Sequence, residues 1–190
     1  MNRSDPLLTD QYTLTMAQSF WKAGIGEEET VFDLFVRRLP KHRNYLIAAG
    51  LEPAFEYLEN FEFLDVDIDF LRSLEIYEEG FLKYLKNLRF TGSVRAVGEG
   101  TPIPAQAPIL SIKAPRIQAS IVESVLLAIV NHQTMIASKT ARIVSAARGC
   151  EIWDFSLRRL HGPEASLGVA RASYIAGAAG TATVAAGREY

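Results

Sequence analysis

From Glu151 onward the chain alternates in character. An extended stretch, EIWDFSLRR, gives way to a glycine and a proline, then to the helical EASLGVARASYIAG, then to GTATVAAGREY, rich in small residues. Parallel strands cannot be joined by a tight turn; they need a crossover of roughly a dozen residues or more, usually a helix. A strand-helix-strand-helix rhythm therefore reads as the start of a parallel α/β sheet or barrel. Gly162 followed by Pro163 supports a helix opening there, because proline at the first helical position lacks an N–H that would have no intrahelical partner anyway. The sequence reaches Tyr190 with two such strands, whereas a parallel barrel takes eight, so the stretch reads as a piece of a longer enzyme.

The preceding residues are mixed. DQYTLTMAQSFWKAG is expected to be a helix, capped by Thr9 or Asp10 and ended by Gly24. Tyr12, Met16 and Phe20 form one stripe and Leu14, Ala17 and Trp21 a second, giving a broad apolar face. ETVFDLFVRRLP alternates as a strand, with Phe32, Leu34 and Val36 on one side and Asp33, Phe35 and Arg37 on the other. Three short helical pieces follow between residues 51 and 90. Within them DVDIDF has the carboxylate spacing of a calcium loop but lacks its glycine and distal glutamate, so a solvated helix start is the better reading. SVRAV and PILSIKA are expected strands. The long stretch 116–149 is expected to be helical, broken near Asn131–Gln133, with Glu123 either capping a partner or facing a polar pocket and His132 serving as a hydrogen bonder at the break.

Composition narrows the partners. Residues 1–90 carry 10 Lys/Arg against 16 Asp/Glu, and residues 91–190 carry 10 against 6. The basic second half has no lysine or arginine run interleaved with aromatics, so nucleic acid is not the expected partner. The single cysteine, Cys150, allows no internal disulfide and suits a reducing cytoplasm. The longest apolar run, IVESVLLAIV, contains a glutamate and is short for a bilayer, so no membrane association is expected.

Small anions fit better. Arg158 and Arg159 close the EIWDFSLRR stretch at the carboxyl end of an expected parallel strand, where ligand groups collect in such folds. A guanidinium offers a planar fork to a carboxylate or phosphate. Phe155 could set a ring against a flat ligand, and Asp154 could orient an arginine; a strand end solvated by two arginines is an equally good reading of the pattern. Arg37 and Arg38, with Lys41, His42 and Arg43 nearby, would suit a polyphosphate or an ordinary surface loop. No P-loop, GxGxxG, HExxH or GxSxG pattern is present.

LLTDQYTLTMA, FDLFVRRLP, AVGEGTPIPAQAPILSI with ESVLLAIVNHQTMIASKTARI, and DFSLRRLHGPEASLGVARASYIAGAAGT together resemble, in order and over essentially all 190 residues, the nicotinate phosphoribosyltransferase family. The resemblance implies an α/β fold. An N-terminal α/β domain (residues 1–148) would precede the first two strands and helices of an irregular (β/α) barrel of the type II phosphoribosyltransferase kind (149–190). It implies a cytoplasmic homodimer with shared sites. The enzyme would join nicotinate to phosphoribosyl pyrophosphate, coupled to ATP hydrolysis, with Mg2+ carried on the phosphates, no protein-bound metal, and a place in salvage of pyridine nucleotides for NAD biosynthesis. The family's catalytic histidine is expected beyond Tyr190, and residues 1–190 alone are expected to be inactive. Tyr12 matches the tyrosine that stacks on the pyridine ring in the neighbouring subunit's site, and Phe155 the aromatic on the other face. Arg158 matches the arginine at the ligand's anionic end, with Asp10 pairing to it across the interface. Arg37 matches a phosphate-side arginine, and Gly180 and Thr181 the second barrel strand at the pocket edge. Ala182 stands where nicotinamide-using relatives carry an aspartate, which favours the acid over the amide. A nicotinamide or quinolinate enzyme, or a non-catalytic assembly module on the same scaffold, are the alternatives; His42, His132 and His161 receive no role.

Overall fold

The computed structural model describes residues 5–190. Its contacts divide the chain into two compact units: one holds the chain up to Asp33, Glu52–Arg95 and Leu110–Leu127; the other holds Leu34–Leu51, Ala96–Ile109 and Ala128–Tyr190.

In the first unit, helix α1 (Gln11–Lys22) turns Thr13, Leu14 and Ala17 inward. Of the first expected stripe, Tyr12 and Met16 face out and Phe20 is half-buried, while Leu14 and Ala17 of the second are buried. The expected side-chain cap is also absent. Asp10 stands at the cap position with no capping bond; its carboxylate instead accepts a hydrogen bond from the Ser124 hydroxyl at 2.7 Å. Strand β1 (Glu29–Phe35) alternates exposed and half-buried residues in the expected register.

Helices α2 (Leu51–Glu59), α3 (Asp65–Ser73) and α4 (Glu79–Asn87) are the three short pieces read from the acidic half. Phe61, Leu71, Phe81, Leu82 and Leu85 are fully buried, each contributing about 1.5–3 kcal/mol on leaving water. Edge-on ring contacts from Phe61 to Tyr57 (5.7 Å) and Phe63 (5.6 Å) add direction to that packing. The DVDIDF carboxylates start α3. Asp67 accepts the Leu64 N–H at 2.8 Å, Asp65 pairs with Lys86 and Asp69 with Arg72. A three-stranded sheet runs in the order β1, β5 (Pro108–Pro115), β3 (Ser93–Ala96).

In the second unit, strand β2 (Leu46–Ile47) pairs antiparallel with β4 (Pro102–Ile103), Leu46 opposite Ile103. Both strands are two residues long, below what sequence periodicity can register. Helix α5 (Arg116–Ala146) runs unbroken for 31 residues, which corrects the break expected near Asn131–Gln133. Ser138 and Ser120 bond back to the carbonyl one turn earlier, of Thr134 and Arg116 respectively, without interrupting the helix. The Ser138 hydroxyl accepts the Ile47 N–H at 2.7 Å, and Thr134 Oγ1 both accepts from Ala49 N and donates to Ala49 O. They also complete the backbone of the 46–50 segment. Gly50 ends that segment at φ +91°, where a Cβ would sit 2.9 Å from the Ile129 carbonyl oxygen; only glycine fits such an approach.

By length and composition α5 would pass for a membrane span, contrary to the expectation from its apolar run. Half of its most apolar window is nevertheless buried inside the fold, so it serves as a core helix. Ala137 of α5 packs with Ala172 of α6 (Ala165–Ile175), Ile47 and Ala49.

The expected strand EIWDFSLRR shrinks to β6 (Trp153–Asp154), which pairs in parallel with β7 (Gly180–Thr181), Trp153 opposite Gly180 and Asp154 opposite Thr181. Leu157–Arg159 form a 3-10 turn instead, closed by the Arg159 N–H donating to the Ser156 carbonyl at 2.7 Å. The paired arginines thus lie on a turn beyond the strand rather than at its end. Helix α7 (Val184–Glu189) follows β7.

Candidate functional site

Asp154 organises the carboxyl ends of β6 and β7. Its Oδ1 accepts the Ser156 N–H at 3.0 Å, an Asx-type turn that ends the strand. Its Oδ2 accepts the Thr181 hydroxyl at 2.8 Å. Its carbonyl accepts the Ala182 N–H at 2.8 Å, and Thr181 Oγ1 accepts the Thr183 N–H at 3.1 Å. One carboxylate therefore ties the loop leaving β6 to the segment leaving β7. The sequence suggested that Asp154 would orient an arginine; it orients backbone and a hydroxyl.

Phe155 projects from this anchored loop with 63% of its surface exposed. Arg158 and Arg159 are exposed on the turn that follows, and Ala182 is exposed at the end of β7. The Asp154 bonds thus tie the segment carrying Phe155 to Thr181 and Ala182, and Arg158 follows on the turn beyond. The Ser156 hydroxyl is buried without a hydrogen-bond partner. Beneath the rim, a Cβ at Gly180 would lie 2.5 Å from the Trp153 ring, so the indole covers that position.

The other predicted residues belong to other elements. Tyr12, 56% exposed, and Asp10 sit at the start of α1 in the first unit. Arg37 is exposed just past β1 in the second. Neither aromatic is consumed by the core of its own unit. Of the histidines, His42 has φ +63° and gives its carbonyl to Arg142 at 2.9 Å. His132 lies in mid-helix with Nε2 buried and unpartnered, not at a helix junction.

A second polar cluster was not read from the sequence. Glu99 accepts two bonds from Arg171, at 2.8 and 2.5 Å, and the N–H groups of Gly50 and Leu51 at 2.7 and 2.8 Å, where α2 begins. Arg171 also donates to Gln133 at 3.3 Å. Burial by itself would raise the Glu99 carboxyl, but the Arg171 guanidinium and the two backbone donors outweigh it and hold it below the usual range. The carboxylate is fully engaged in structure. Glu99 in VGEGT and Arg171 in ARAS are 72 residues apart, and no local pattern links them. The Asp154 anchor did leave a trace: Asp-x-Ser is an Asx-turn signature.

The pattern of the nicotinate phosphoribosyltransferase N-terminal domain matches residues 7–131. A nicotinate phosphoribosyltransferase of Mycobacterium tuberculosis is 45% identical over 97% of this chain and 40% of its own length. One of Bacillus subtilis is 42% identical over 97% of this chain and 38% of its own. The crystal structure of human nicotinic acid phosphoribosyltransferase superposes with a TM-score of 0.87 at 32% identity, over 95% of this chain and 37% of that one. The chain spans about two fifths of the length of these relatives.

Proposed function

The chain belongs to the nicotinate phosphoribosyltransferase family, and we propose that it forms the N-terminal part of an enzyme making nicotinate mononucleotide and pyrophosphate from nicotinate and phosphoribosyl pyrophosphate. The observation that carries this is the rim at β6 and β7. One anchored loop at the carboxyl ends of two parallel strands presents an exposed ring, Phe155, and an exposed guanidinium, Arg158.

Each residue then has a physical task. Phe155 offers a face to the flat, electron-poor pyridine ring, worth about 1 kcal/mol for a good stack. Arg158 meets the anionic end with a fork of donors. Ala182 leaves the carboxylate without a like-charged neighbour. Thr181 forms the edge, and Arg37 serves the phosphates. Tyr12 and Asp10 act in the site of a neighbouring subunit, so the enzyme is a homodimer, cytoplasmic, and works in salvage toward NAD, with residues 149–190 opening the barrel. The chemistry at the ribose carbon is mostly positioning and charge stabilisation.

Coupling to ATP hydrolysis belongs to the same reading. Mg2+ would be carried by the polyphosphates: the one run with metal-like spacing, Asp65, Asp67 and Asp69, has each carboxylate engaged by the chain's own groups.

The test is the full-length enzyme supplied with nicotinate and phosphoribosyl pyrophosphate, assayed for the mononucleotide, alongside Ala182→Asp. Activity is expected, with the variant raising KM for nicotinate about tenfold by like-charge repulsion. No product with nicotinate, or unchanged nicotinate kinetics in Ala182→Asp, would count against the assignment.

A further inference from the structure

Asp154 has no contact assigned to it in the reaction, yet it is the hub of the rim. We infer that Asp154 and Thr181 are a positioning pair that sets the direction of the Phe155 ring; this rests on the function proposed above.

The backbone on either side of Phe155 is tied to one carboxylate. Asp154 is fixed through its own side chain and through its carbonyl, which accepts from Ala182. Ser156 is fixed through its N–H. Phe155 is the single residue between these two fixed points. Its ring is 63% exposed, and no aromatic packs on it among the described residues. The fixed backbone therefore sets the Cα–Cβ direction from which the ring projects and the rotamers open to it.

Thr181 completes the device. Its hydroxyl hydrogen goes to Asp154 Oδ2 and one lone pair accepts from Thr183 N–H. A hydroxyl has one hydrogen to give, so Thr181 has none left for a ligand. Its part is to hold the acid and, through it, the loop. The pair acts on binding of the flat ring more than on the chemical step, because a misdirected ring loses a contact made in ground and transition states alike.

Thr181→Val in the full-length enzyme removes the hydroxyl at nearly constant volume. It should raise KM for nicotinate up to about fivefold, the whole of what a lost ring stack can cost, with kcat within about twofold of wild type and KM for phosphoribosyl pyrophosphate unchanged. Amide hydrogen exchange at Ser156 and Thr183 should quicken, and Thr181→Ser should restore both readings. Asp154→Ala is the second variant: it removes the acceptor of both the Ser156 N–H and the Thr181 hydroxyl, so the same KM shift is expected. Wild-type KM in both variants, or a fall in kcat with KM unchanged, would overturn the inference. An enzyme inactive on nicotinate before any mutation would instead sink the proposed function, and exchange at Ser156 and Thr183 would then decide the anchor by itself.

Discussion

Glu99→Ala should be the most damaging single truncation among the polar residues of the second unit. The side chain of Arg171 is only 10% exposed and that of Glu99 19%, so removing the acid takes two short hydrogen bonds from a largely buried guanidinium. Breaking one partner of a buried pair costs about 3–5 kcal/mol. Two further donors, the N–H groups of Gly50 and Leu51, would lose their acceptor at the start of α2. Against that, Arg171 keeps Gln133 as an acceptor, and water can enter the space left by the acid. We therefore expect about 3 kcal/mol, a large share of the roughly 5–15 kcal/mol by which a typical domain is stable. In equilibrium urea unfolding this is a midpoint lowered by about 1–3 M at the usual slope. The double variant Glu99→Ala with Arg171→Met should be less damaged than Glu99→Ala alone, because a largely buried, poorly compensated charge is gone. A single variant within about 1 kcal/mol of wild type, or a double variant worse than the single, would refute the argument that the pair is buried and mutually dependent.

Two other expectations use the same assay. Because the folded Glu99 carboxyl lies below its ordinary value of 4.5, its contribution is complete above that value and disappears as pH falls through the lower folded one. The urea midpoint of wild type should thus fall more steeply below pH 4.5 than that of Glu99→Gln. Gly50→Ala should cost about 1–3 kcal/mol, combining φ +91° with the nearby Ile129 carbonyl, whereas Gly149→Ala, at φ +94° with open space around it, should cost less; equal losses would show that backbone strain alone, not the approach of α5, makes Gly50 necessary.

Sequence periodicity was informative where elements were long and one-sided. The alternation of β1, the three helices of the acidic half, and the parallel pairing after Gly149 were all legible. It failed where partners are distant. The Asn131–Gln133 stretch looked like a break because its neighbours are polar, but Thr134 and Ser138 are answered by the backbone of residues 47 and 49, which no local window contains. Strands β2 and β4 are too short to show a period. The α1 stripes were nearly equal in apolar content, and tertiary packing chose Leu14 and Ala17 over Tyr12 and Met16. At the rim, residue types were readable but the geometry was not: the paired arginines of EIWDFSLRR suggested a longer strand, while Asp154 captures the Ser156 N–H and turns the chain after two residues.

The packing of the two tryptophans gives the molecule a pair of native optical reporters. Trp21 lies in the first unit, its ring centroid 6.1 Å from that of Phe81, and Trp153 lies in the second, laid over Gly180. Since the chain has two tryptophans and no more, replacing either with phenylalanine leaves an emission signal from one unit alone. Melting of each could then be followed separately without attaching any label.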